Sequence, residues 1–137
     1  MSVGNYLYFQ GNCREAVTFY ADVFKTEPAR FMTYGDIPGG GGEMPEAMKK
    51  LVLHADLEIG GGLVMFSDAT PDRPVTFGNN ISVIVGLKNE DAVKAVYMKL
   101  KEGGEVIMAL QETFFSKCYA YLKDRFGVNW QLTLENE

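Results

Sequence analysis

Tyr6, Tyr8 and Gln10 alternate with Leu7 and Phe9, the period of a strand with one apolar face. The strand stops at Gly11, where Asn12 followed by Glu15 predicts a capping box. Ala16, Phe19, Tyr20, Val23 and Phe24 then recur at helical spacing. A strand-like ARFMTY leads into GDIPGGGGEMPEAM, whose glycines and prolines predict a flexible flap rather than helix or sheet. Beyond it Leu51, Leu53, Ala55, Leu57 and Ile59 occupy one strand face, while His54, Asp56 and Glu58 share the other with Val52. The glycines at 60–62 turn this strand back into LVMFSDA as a hairpin.

TPDRPVTFGNN reads as a proline-marked connector and ISVIVGL as the next strand. Asn89 is placed to cap a second helix, EDAVKAVYMKLKEGG, with Ala92, Val93, Val96, Tyr97 and Leu100 as its apolar stripe and Gly103 at its end. EVIMAL, SKCYAYLKD and GVNWQLTL complete the strands. The order strand, helix, three strands thus occurs twice, and EAVTFYADVF echoes DAVKAVYMKL. The pattern predicts an α+β protein of two βαβββ modules, about 1–72 and about 73–137. Both would belong to one domain spanning 1–137, a cup-shaped mixed sheet with its helices outside. Such a cup is a small-molecule site.

The run YLYFQG resembles the recognition sequence of a viral protease used to remove purification tags. It merges in register with an amphipathic helix, however, and Asn5 stands where that protease prefers glutamate, so it reads as native.

A formal net charge of −5, without a Lys/Arg-rich run, argues against a nucleic-acid partner. The apolar stretches are strand-sized and no leader pattern precedes the first strand, so no membrane role and a cytoplasmic location are expected. Cys13 and Cys118 lack CxxC spacing and a histidine cluster, which points to packed, reduced thiols.

YLYFQGNCREAVTFY, LHADLEIGGGLVMFSDA, QETFFS and KDRFGVNWQL, in that order, resemble the PhnB-like branch of the glyoxalase, bleomycin-resistance and extradiol-dioxygenase (vicinal oxygen chelate) superfamily. The resemblance implies a homodimer and a ligand site in the open cup. Metal-using members place two histidines and two carboxylates there. Alignment to them puts Tyr6 and Asn80 at the histidine positions, Phe66 or Ser67 at the first carboxylate position and Gln131 at the second. None of these is a good metal ligand. The branch also carries the label of a demethylubiquinone methyltransferase. A Rossmann-type methyltransferase needs a glycine-rich strand-to-helix turn, whereas Gly39 to Gly42 lie in the flap, so the label finds no support in the residues.

One histidine is too few for a conventional transition-metal site, and His54, Asp56 and Glu58 spread along one strand make a poor chelate. If a metal were bound, Asp68 and Glu112 are the other carboxylates expected near it. The expectation is therefore no metal and no cofactor. Tyr6, Tyr8, Ser67, Ser82 and Gln131 are the expected ligand contacts, with Gln111, Phe114 and Phe115 at an edge. This set suits a small polar or aromatic ligand. For catalysis, His54 with Glu112, or with a tyrosine hydroxyl, is the best acid–base pair. The leading reading is a small-molecule-binding protein. The alternative is a lyase or isomerase, either metal-dependent or using His54.

Overall fold

The computed structural model describes residues 1–39 and 42–135. The chain forms two compact units, residues 1–76 and 77–137. In the first, β1 (Asn5–Phe9), α1 (Cys13–Phe24), β2 (Phe31–Thr33), a 3₁₀ turn (Tyr34–Asp36), α2 (Glu46–Lys49), β3 (Val52–Ile59) and β4 (Gly62–Asp68) follow in order. The second has β5 (Val83–Leu87), α3 (Glu90–Leu100), β6 (Glu105–Gln111), β7 (Tyr119–Lys123) and β8 (Asn129–Leu134). The α+β class and the twice-used βαβββ order expected from the sequence are both present.

Each unit holds one four-stranded mixed sheet, ordered β1-β4-β3-β2 in the first and β5-β8-β7-β6 in the second. The first strand of each unit runs parallel to the last, and the remaining pairs are antiparallel. The two long helices pack on the sheets of their own units, α1 on β3 and β4, α3 on β8 and β5, while α2 meets the 3₁₀ turn. In the first unit Phe9, Tyr20 and Phe66 form the aromatic centre of the core, with ring centroids 5.8–6.4 Å apart. In the second, Trp130, Leu122, Leu132, Leu100 and Val93 are buried together with Ala120. Each such side chain contributes about 1.5–3 kcal/mol by leaving water.

The β3–β4 hairpin turns through Gly60 and Gly61, both at positive φ (59° and 80°), which is why glycines stand there. Three local expectations are corrected. The predicted flap contains the 3₁₀ turn and the short α2, whose Glu46–Lys49 ion pair spans 3.2 Å; Gly40 and Gly41 lie outside the described residues. The Asn12–Glu15 capping box does not form, because Asn12 makes no side-chain cap bond. The strand at 29–34 contracts to Phe31–Thr33, with a register irregularity against β3.

The start of α1 is held instead from a distance. Asp68, at the end of β4, accepts hydrogen bonds from the backbone N–H groups of Gly11 (2.9 Å) and Cys13 (3.0 Å) through Oδ1 and of Val52 (2.9 Å) through Oδ2. It satisfies donors that a helix start leaves without partners, and joins them to the start of β3.

Candidate ligand-binding site

The face of the first sheet opposite α1 gathers ionisable and aromatic groups. Strand alternation places Tyr6 and Tyr8 on that face of β1 and His54 and Asp56 on that face of β3. Tyr6 and Tyr8 stack at 5.0 Å, and the Tyr6 ring lies 5.9 Å from the imidazole. The two residues are 40% and 53% exposed.

A hydrogen-bond chain crosses the face. Tyr6 Oη lies 3.3 Å from His54 Nδ1, and His54 Nε2 lies 3.3 Å from Asp56 Oδ2. A carboxylate only accepts, so the arrangement assigns the imidazole proton to Nε2 and leaves Nδ1 to accept from the phenol. Partial burial raises the Tyr6 phenol above its ordinary value, opposed by the Ser67 hydroxyl, so this phenol is a proton donor across the neutral range. Ser67 itself is buried, and its hydroxyl lies within donating distance of the carbonyls of Val52 (3.3 Å) and Asp68 (3.1 Å).

At one end of β1 a cavity of about 420 Å3 opens, lined among others by Tyr8, Tyr34, Thr70 and Arg73. The Tyr34 hydroxyl donates to the Asp68 carbonyl at 3.0 Å, which fixes its ring against the wall. Tyr8 was singled out from the sequence, and it lines this cavity. Tyr34 and Arg73 were not singled out, because the elements predicted for them were a strand end and a proline-marked connector without a period. The signal available was the spacing of Pro71 and Pro74, which brackets Asp72 and Arg73 in a stiff turn.

The second unit builds a neutral chain. The Tyr119 hydroxyl donates to Gln131 Oε1 at 2.5 Å, and Gln131 Nε2 donates to Ser82 Oγ at 2.7 Å. Burial raises the Tyr119 phenol, with Tyr121 adding to the effect. Phe115 meets Tyr119 edge-on at 5.0 Å and Phe114 edge-on at 5.2 Å, while Phe114 is fully exposed. Gln111 turns its amide to the Ala109 carbonyl, and Glu112 is exposed just past β6. The hydrogen-bond partners of His54 are Tyr6 and Asp56, both in its own unit.

The donor set does not fit a divalent ion. Among the described residues no group of three or more His, Cys, Asp or Glu side chains is placed to hold one. Asp68, the carboxylate considered for that role, is 2% exposed and spends both oxygens on backbone N–H groups. Cys13 and Cys118 are free and buried; burial, then the Asp68 carboxylate, pushes the Cys13 thiol up to about 12.

The chain is similar to protein PA1353 from Pseudomonas aeruginosa, at 30% identity over 100% of this chain and 99% of that one, with a TM-score of 0.86. It is similar to the PhnB protein from Bacillus cereus at 28% identity, covering 98% and 100% of the two chains, with a TM-score of 0.75. A glyoxalase/bleomycin resistance protein from Albidiferax ferrireducens T118 shares the fold alone, at 14% identity, 98% and 100% coverage and a TM-score of 0.64. The family model described as 3-demethylubiquinone-9 3-methyltransferase matches residues 2–133. The chain belongs to that family and shares the fold of glyoxalase/bleomycin resistance proteins.

Proposed function

We propose that the protein binds a small molecule through its first unit, in the manner of a glyoxalase/bleomycin resistance binding protein, without a bound metal. In this reading residues 1–137 act as one domain, and the working form is a cytoplasmic homodimer. The carrying observation is the cavity of about 420 Å3 beside Tyr8, next to the stacked Tyr6 and the Tyr6–His54–Asp56 chain. Concave, partly aromatic surfaces with a few convergent polar groups are where small ligands bind. Methyl transfer, the activity in the family's description, finds no support in the topology: the β1–α1 turn joins a four-stranded mixed sheet rather than a doubly wound parallel one.

The test is native mass spectrometry of the protein after incubation with a small-molecule metabolite extract. A mass adduct is expected that Tyr8→Ala abolishes and Phe114→Ser retains. No adduct in the wild type, or one indifferent to Tyr8, would overturn the reading. The Tyr6–His54–Asp56 chain favours a second reading, metal-free acid–base chemistry at His54 on the bound molecule. There, His54→Ala retains the adduct but stops conversion of the bound compound, whereas a compound recovered unchanged from the wild type excludes it.

A further inference from the structure

Resting on the small-molecule reading above, we propose that the first-unit cavity selects a planar aromatic anion, its carboxylate or phosphonate held by Arg73 and its ring laid against Tyr8 and Tyr34. Arg73 is the basic side chain that lines the cavity. Among the described residues, no hydrogen bond or ion pair engages its guanidinium. The other charged liner, Asp68, is turned away, since Oδ1 accepts from Gly11 and Cys13 and Oδ2 from Val52. Asp72, beside Arg73 in sequence, is held below the usual carboxylate range first by the Thr70 hydroxyl and then by its own backbone N–H, with the Arg73 charge adding to them. The cavity therefore presents a cation whose neighbouring carboxylates already have partners. A guanidinium fork matches two anionic oxygens of one ligand.

The segment that carries Arg73 is built rather than loose. Ala69 N–H donates to the Phe9 carbonyl at 2.7 Å, Arg73 N–H closes a turn on the Thr70 carbonyl at 2.9 Å, and Val75 N–H donates to Gln10 Oε1 at 3.3 Å. Pro71 occupies the second position of that turn, where its fixed φ is favourable, and Pro74 restricts Arg73 to extended backbone. Arginine is thereby presented on a segment tied at one end to Phe9, the last residue of β1, and at the other to Gln10 just after it, which reduces the ordering cost of binding. Tyr34 is fixed by its bond to the Asp68 carbonyl, and Tyr8 is half exposed, so two aromatic walls accompany one cation. Rings stack on such walls with modest but specific gain.

The experiment titrates benzoate, phenylphosphonate and neutral benzamide into isotope-labelled protein and follows backbone amide shifts. Benzoate or phenylphosphonate is expected to move Tyr8, Tyr34, Thr70 and Arg73, and the stronger of the two identifies the anionic group. Arg73→Gln is expected to weaken that binding by about tenfold or more, the loss of a charge-assisted contact. Arg73→Lys should give an intermediate value, and Arg30→Gln, an exposed cation of the same unit outside the cavity, no change. If benzamide binds there as tightly as benzoate and Arg73→Gln has no effect, the anion proposal fails while small-molecule binding stands. If none of the three probes shifts the cavity residues, this proposal fails, and the metabolite adduct then decides the broader reading.

Discussion

The two units share a topology and differ in what their open sheet faces carry. In the first, the paired row Tyr6, Met65 and Asp56 crosses the sheet; at the matching register the second has Ile84, Gln131 and Tyr121. One face is ionisable and lies beside a cavity, and the other is neutral and flanked by exposed phenylalanines. The helix-facing rows remain apolar in both, apart from Asn5, where the second unit has Val83, and Asp68. Phe9 pairs with Asp68 where Leu87 pairs with Leu134. The fold rests on the pattern the modules share, and the candidate chemistry on the positions where they diverge.

The divergence at Asp68 decides how each helix begins. α3 is capped locally, Asn89 Oδ1 accepting from Ala92 N–H at 2.8 Å, while α1 depends on Asp68 from another strand. Asp68→Ala is expected to cost about 3–5 kcal/mol, since it leaves buried backbone donors unpaired. Chemical denaturation measures it, and a loss below 1 kcal/mol would dissolve the distinction. Asp68→Asn, which keeps one good acceptor, should fall between the variant and the wild type.

The cysteines divide the same way. The unfolded chain releases the Cys13 proton near 9.0 and the folded chain holds it to about 12, so this contribution to stability is full below pH 9 and is lost as pH rises through about 12. The melting temperature should fall over that window, less steeply in Cys13→Ala. Cys118 is also raised, by burial first, but is less enclosed. Iodoacetamide at pH 8 should therefore modify Cys118 before Cys13, as read by peptide mass spectrometry; the reverse order would contradict the packing described for α1.

Smaller effects concern the helix ends themselves. Asn89→Ala should cost about 1 kcal/mol, the usual value of a local cap, well below the effect at Asp68. At the other end α1 closes on Lys25 at φ 54°, a left-handed conformation, whereas a glycine at φ 72°, Gly103, follows the end of α3. Lys25→Gly is thus expected to stabilise by about 0.5–1 kcal/mol in thermal melts. A destabilisation there would show that the Lys25 side chain makes a contact outweighing its backbone strain.

These contrasts explain what was legible in the sequence. Periodicity found both helices and the strands because each unit buries an alternating or helical apolar face, and the Asn89 cap could be read because its partner is three residues away. The corresponding signal at Asn12 was misleading, since Asp68 takes the role from 55 residues along the chain. That Tyr6, Tyr8 and His54 share a sheet face was legible because alternation sets it. The contact of His54 with the Tyr6 hydroxyl depends on strand pairing, which spacing alone does not give. Tyr34 and Arg73 reach the cavity through turns without a period, so only the flanking prolines hinted at a fixed backbone there.

The most direct test of the account is amide-shift mapping of a bound small molecule, benzoate or the compound recovered from the metabolite extract, across both units at once. The account predicts perturbations concentrated at Tyr6, Tyr8, Tyr34, His54 and Thr70–Val75, abolished by Tyr8→Ala and unaffected by Gln131→Ala. Perturbations centred on Ser82, Tyr119 and Gln131, and abolished by Gln131→Ala instead, would contradict it.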